Sequence, residues 1–139
     1  MKTLDIPLNK HLQFKNAGGT NDYVFSMNPD ERHLNHLGTV HASALYAMAE
    51  ATSGEFLLNE FKENLHEVIP VVRNAEIKYS KPANGEIKSK ASLLNSSRSD
   101  VLKELNDKKR TIAKVRICLF NEKDEKVLHS VFDWFILKK

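Results

Sequence analysis

From Leu34 to Gly54 the chain carries one formally charged side chain, Glu50, set among Ala42, Ser43, Ala44, Ala47, Ala49, Ala51, Ser53 and Gly54. No other stretch limits the fold so strongly. A surface helix shows an apolar stripe and a charged face. A helix over VHASALYAMAEATSG has no charged face, so other structure must cover it on most sides. Its small side chains let a sheet come close. The helix is expected to begin between Thr39 and His41, with Thr39 as N-cap, and to run to about Asn64. Glu55, Glu60, Lys62 and Glu63 bring its last turns back to water.

The remaining segments supply the cover. Tyr23, Phe25 and Met27 alternate with Val24, Ser26 and Asn28, which predicts a strand over 22–28 that Pro29 stops. Residues 29–38 read as a loop, and a short helix fits Pro7–Phe14. Residues 68–80 place Val71, Arg73, Ala75, Ile77 and Tyr79 on one face, with Val72, Asn74, Glu76 and Lys78 on the other. Residues 86–94 alternate in the same way after a turn at Pro82–Gly85. One buried and one solvated face is the mark of an antiparallel sheet. Residues 99–106 suit a short amphipathic helix capped by Ser99, and 110–120 and 126–137 form a final hairpin. Five strands around one apolar helix make an α+β domain, a curved antiparallel sheet wrapped on that helix.

The length, 139 residues, fits one domain over 1–139. With 41% hydrophobic and 28% charged residues the chain can build a core and stay in water. The net charge of +3 is spread along the chain with no basic stripe and interleaved aromatics, so nucleic acid is not an expected partner. The one cysteine, Cys118, excludes an internal disulfide framework. No metal or cofactor is expected, because His33, His36 and His41 lack a thiol or carboxylate to complete a ligand set. No stretch is apolar enough to span a membrane and the opening residues do not read as a leader, so a cytoplasmic location is the expectation.

The chemistry-bearing pattern is Asn35-x-x-Gly38-x-x-His41, with Glu50 nine residues further on. A carboxylate inside an apolar helix must be paired, hydrogen-bonded or turned to a cleft. In a cleft, desolvation strengthens it as a base or nucleophile. Otherwise it makes a structural bond or pairs with Arg73. The first amides of a helix lack intrahelical partners, so those of Ala42 and Ser43 can receive a carbonyl oxygen that gains charge. Gly38 permits a tight turn and close approach to the backbone, and Asn35 can orient a water or a carbonyl. Ordinary capping and loop bonding is the alternative for Asn35 and His41. Nine residues of helix set His41 and Glu50 on opposite faces, roughly 13 Å apart along the axis. They can meet only across a two-fold axis, which implies a dimer.

The run NHLGTVHASALYAMAEATSG, followed by VVRNAEIKYSKPANGEI, resembles the hotdog-fold acyl-CoA thioesterases, nearest the phenylacetate-pathway-type branch. The resemblance covers roughly residues 20–137. It implies a sheet wrapped on a central helix, subunits joined edge to edge as a homodimer, and in many members a dimer of dimers. It implies hydrolysis of an acyl-CoA, or an acyl carrier protein thioester, to an acid and a free thiol. By position, Glu50 matches the acid that activates water or attacks the carbonyl, and Asn35 the group that places water or substrate. His41 matches the histidine at the helix start, and the amide of Ala42 the carbonyl-polarising donor. Gly38, Ser43 and Arg73 fall at substrate-contacting positions. The family's His-Gly-Gly is here His41-Ala42-Ser43, and Arg73 replaces a small hydroxyl residue. Arg73 either pairs with Glu50 or grips an anionic acyl group or a phosphate. Lys108-Lys109-Arg110 is a second place to meet phosphate, or a solvated turn. Two other activities remain open on these residues: a non-catalytic acyl-CoA or lipid-binding module, and an enoyl-CoA hydratase, to which Asn28-Pro29 with His33 bears a partial likeness.

Overall fold

The charge-poor run forms a helix of 19 residues, α2 (Ala42–Glu60), and a sheet covers it. In the computed structural model, which describes residues 2–19 and 21–139 (Met1 and Thr20 lie outside), the sheet has six antiparallel strands. They are β1 (Lys15–Asn16), β2 (Phe25–Met27), β3 (Val68–Tyr79), β4 (Ile87–Leu93), β5 (Arg110–Phe120) and β6 (Lys126–Lys138). Their spatial order is β1-β2-β4-β5-β6-β3, so β3, the strand that follows the helix, is left at one edge. Two further helices, α1 (Pro7–His11) and α3 (Arg98–Lys108), flank this arrangement.

Sheet and helix meet through β4, β5 and β6. Side chains of a strand alternate between faces, so Val115, Ile117, Leu119, Leu128 and Phe132 point inward and are fully buried against Met48, Ala49 and Leu45. Small residues at Ala44, Ala49 and Ala51 let the strands approach. Polar groups also bridge the layers. Thr52 Oγ1 lies 2.7 Å from the Met48 carbonyl and 2.8 Å from Ser89 Oγ on β4, and Ser89 Oγ accepts the Phe25 N–H of β2 at 3.1 Å. All three residues are sealed from water, so each hydroxyl is needed to satisfy the next.

Several expected boundaries move. Thr39 does not cap α2. His41 does, because its Nδ1 accepts the Ser43 N–H at 2.9 Å while Asn35 holds Thr39 in the preceding loop. The helix stops at Glu60 rather than Asn64, and Lys62–Glu67 tighten into a 3-10 turn. The early helix closes at His11, short of Phe14. Residues 29–38 include a 3-10 turn, Glu31–His33. The strand expected over 22–28 shrinks to Phe25–Met27, since Asn21 and Asp22 take positive φ angles of 56° and 60°, and it gains a sixth strand, β1, as neighbour. α3 is capped by Ser97, not Ser99. Its hydroxyl accepts the Asp100 N–H while the Asp100 carboxylate accepts the Ser97 N–H, a capping box.

The correction with most consequence lies in β3. Its register against β6 slips between Val72 and Asn74, a β-bulge that inserts Arg73 as an unmatched residue. One extra residue flips the face of all that follows. Val72 therefore shares the inner face with Ala75 and Ile77, while Val71 is half exposed on the outer face. Simple alternation had placed Val71 and Arg73 with Ala75.

Ser89→Ala should lower unfolding free energy by about 1–3 kcal/mol, because it removes the acceptor of the buried Phe25 N–H, while the Thr52 hydroxyl keeps the Met48 carbonyl. Urea denaturation with an unchanged m-value checks this.

Candidate active site at the start of the central helix

The chain enters α2 through a loop in which almost every amide is spent. The Leu37 and Thr39 N–H groups donate to Asn35 Oδ1 at 2.9 and 3.1 Å, and Gly38 N–H donates to the Asn35 carbonyl at 3.1 Å. Val40 N–H donates to the Ala83 carbonyl at 2.9 Å and His41 N–H to the His33 carbonyl at 2.7 Å. Ser43 N–H goes to the His41 ring. Among the described residues, the Ala42 N–H has no partner. It is the first amide of a helix 19 residues long, where the backbone dipoles sum to partial positive charge. The site thus offers one free donor, exposed, for an oxygen that becomes negative.

Each loop residue acts through this geometry. Gly38 has φ +76°, a left-handed conformation that favours glycine, and the space around it is open. Its requirement is the turn, not close approach. Asn35 ties the loop together. Its carbonyl oxygen accepts two amides and its Nδ2 donates to Thr39 Oγ1 at 2.9 Å, which leaves one amide hydrogen. His33 is fully buried, with Nδ1 accepting the Asp30 N–H and Nε2 2.7 Å from the Leu12 carbonyl, so both ring nitrogens serve structure. Among the described residues, no group of histidine, cysteine and carboxylate side chains is arranged to hold a metal.

Glu50 lies eight residues beyond Ala42, about 12 Å along the axis and about 80° around it. It is half-buried, and among the described residues it has no ion-pair or side-chain hydrogen-bond partner. Burial alone pushes its carboxyl above the usual carboxylate range. The backbone under it is fixed from below. Trp134 Nε1 on β6 donates to Ser53 Oγ at 2.9 Å, and Ser53 Oγ donates to the Glu50 carbonyl at 2.7 Å. Between Ala42 and Glu50 on the same side stands Tyr46, stacked edge-on against Phe132 with ring centroids 5.7 Å apart. Tyr79, near the end of β3, donates from its hydroxyl to the Ala42 carbonyl at 3.2 Å. Burial, and then Tyr46, raise the pKa of that phenol.

Asn35, Gly38, His41, Ala42 and Ser43 therefore come together, and Glu50 stands two turns away on a side that leads to the β3 edge. Arg73 joins neither group. It lies over the Phe135 ring, 4.5 Å from guanidinium carbon to centroid, and makes no ion pair among the described residues. Ser53, Tyr79 and Trp134, which reach the site through the sheet, were not legible from the sequence. The I-K-Y-S-K-P segment carried Tyr79, but nothing local showed that it would reach the helix start.

The comparisons agree with this architecture. A probable thioesterase of unknown function from Pseudomonas aeruginosa superposes with a TM-score of 0.86 at 22% identity, covering 99% of this chain and 91% of that one. A thioesterase from Haemophilus influenzae gives 0.72 at 16%, covering 97% and 85%. A hypothetical thioesterase from Streptococcus pneumoniae, solved with coenzyme A, gives 0.67 at 15%, covering 91% and 87%. These likenesses show the hotdog fold. No curated protein matches the chain. No helix among the described residues is long and apolar enough to cross a membrane.

The raised Glu50 pKa fixes a sign. A carboxyl that holds its proton more tightly when folded costs nothing below its unfolded pKa and destabilises the protein as pH rises through the folded value. Glu50→Gln should therefore melt above wild type at pH 7, and the gap should close near pH 3 by differential scanning fluorimetry. The family model for a domain of unknown function, DUF4442, matches residues 19–136, and the chain belongs to that family.

Proposed function

We propose that the protein hydrolyses an acyl thioester, with coenzyme A or an acyl carrier protein as the thiol. The observation that carries this reading is a pair of groups on α2 that have no partner among the described residues: an exposed Ala42 N–H and a half-buried Glu50 carboxylate. Glu50 takes a proton from water as the water oxygen attacks the carbonyl carbon. The Ala42 N–H, with the helix dipole behind it, receives the oxyanion. The intermediate collapses, the C–S bond breaks, and the thiolate leaves with its electron pair and takes the proton that Glu50 removed from water, which returns Glu50 to its carboxylate form. Thiolate is a good leaving group, so one base and a fixed donor suffice.

One protomer cannot bring the two groups together, since about 12 Å of helix separates them. The reading therefore includes a homodimer in which Ala42 of one subunit faces Glu50 of the other. Two features support it. β3 is a sheet edge 12 residues long with its outer hydrogen-bonding groups unpaired within the chain. The side of α2 that carries Tyr46 and Glu50 packs towards β6, next to that edge. In this mechanism Ser43 and Gly38 line the carbonyl approach and His41 fixes the first turn. The one free Asn35 amide hydrogen faces substrate or water. A dimer of dimers and a cytoplasmic location complete the reading.

Glu50→Ala should reduce thiol release from a panel of acyl-CoAs by about 10²–10⁴-fold with the fold intact. A release equal to wild type would sink the role of Glu50. Ala42→Pro replaces the donor hydrogen by a ring methylene and leaves the helix intact, because proline is tolerated at the first helical position and His41 is already extended. It should lose activity at unchanged stability. If sites are shared, subunits of Ala42→Pro and Glu50→Gln refolded together should regain about a quarter of wild-type activity, since half of the dimers then hold one intact site.

A further inference from the structure

Glu50 has no side-chain partner among the described residues, so its carboxyl takes its place from the surface around it. On a helix the neighbours of a side chain stand three and four residues away. Towards the helix start that neighbour is Tyr46, fixed edge-on against Phe132. Towards the helix end the neighbours are Ser53 and Gly54, and neither offers a side chain to cover the carboxyl. Ser53 is fully buried, and its hydroxyl folds back to donate to the Glu50 carbonyl. Gly54 has no side chain, and a Cβ placed on it would meet Trp134 Cζ2 at 3.5 Å and Cη2 at 3.6 Å. The indole from β6 therefore stands next to the place where the helix itself would put a side chain.

Trp134 is also fixed to the turn that carries Glu50. It points inward from β6, paired with Ala113 on β5 and Val72 on β3. Its Nε1 donates to Ser53 Oγ at 2.9 Å, and Ser53 Oγ donates to the Glu50 carbonyl at 2.7 Å, so ring and turn are held as one piece. A serine hydroxyl bonded back to a helix carbonyl bends the helix locally. Here the indole fixes that hydroxyl, and with it the direction in which the Glu50 Cα–Cβ bond leaves the helix. No charge from a packed element competes. Lys114 and Asp133 pair with each other on the outer face, Arg73 lies over Phe135, and Glu55 is bonded by Thr3. Burial is the one cause that raises the Glu50 carboxyl, and an apolar ring beside it is a means of burial.

We infer that Trp134 is a positioning residue for Glu50: its N–H holds, through Ser53, the helix turn that carries the carboxyl, and its ring is the apolar wall against which the carboxyl rests. The consequence for turnover rests on the hydrolytic reading. The consequence for the carboxyl itself does not.

Carbon-13 NMR of the glutamate Cδ resonances reads the proton equilibrium of Glu50 directly, with Glu50→Gln identifying its signal. Trp134→Phe, which keeps a ring and loses the N–H, should move that titration down towards the ordinary carboxylate range. Ser53→Ala should move it in the same direction, and carries the test by itself if Trp134→Phe does not fold. The double variant should move it little further than Trp134→Phe, because the two residues act in one chain. Ser89→Ala, which destabilises the same helix–sheet layer at another point, should leave it in place, and so separates positioning from loss of stability. In acyl-CoA hydrolysis by Trp134→Phe, the acid limb of kcat/KM against pH should move down with the carboxyl. Its kcat should fall by up to about 10²-fold with KM unchanged. A Glu50 titration that Trp134→Phe and Ser53→Ala leave unmoved, or that Ser89→Ala moves as far, would overturn the proposal. The expected shift with no hydrolysis by wild type would remove the hydrolytic reading and leave Trp134 as the residue that holds the carboxyl. Far-UV circular dichroism and melting temperature establish that each variant is folded.

Discussion

The close seating of α2 on the sheet is the contact on which the rest depends. A helix without a charged face is unstable in water by itself, and this one gains its stability from burial. Alanines at 44, 49 and 51 bring the helix backbone near the strands, and Met48, Phe132 and Leu128 fill the space that remains. Close approach creates a second demand, because polar atoms shut inside must find partners. The chain from Thr52 through Ser89 to the Phe25 amide meets it. That chain also ties the helix to β4 and β2 at one height.

Hydrogen bonding and burial give the two ends of the α2 site different characters. At the start, loop and cap consume the amides on both sides of Ala42 and leave its own. Further along, the Trp134–Ser53–Glu50 chain pins the helix backbone while the Glu50 side chain is only half covered. A carboxylate in that position keeps its proton to higher pH than one in water. The same helix therefore carries an amide without a partner among the described residues at its start and a half-buried carboxyl on its flank, and its length keeps them apart within one chain. On the proposed reading a site that needs both is completed across two subunits; β3 is the edge of the sheet next to β6.

The β3 bulge divides the two sides of the sheet. Before it, the strand presents Val72 inward. After it, Ala75 and Ile77 take over, and Arg73 leaves the alternation. Without the extra residue, Arg73 would lie on one face in step with its neighbours. With it, the guanidinium rests on Phe135, within one groove with Lys108 and Arg110.

The amino-acid sequence by itself determined the helix, the antiparallel strands and the α+β class, because these follow from periodicity and from the lack of charge around Glu50, which are local properties. It also marked Asn35, Gly38, His41, Ala42 and Glu50, since residue type and spacing along one loop and helix are written in the chain. Tertiary structure decided what depends on partners distant in sequence. His41 rather than Thr39 caps the helix because Asn35 had already engaged Thr39. Tyr79 reaches Ala42 and Trp134 reaches Ser53 only because β3 and β6 lie where the sheet order puts them. Arg73 leaves its expected face because pairing with β6 slips by one residue, and no period-two pattern can signal a slip that the neighbouring strand imposes.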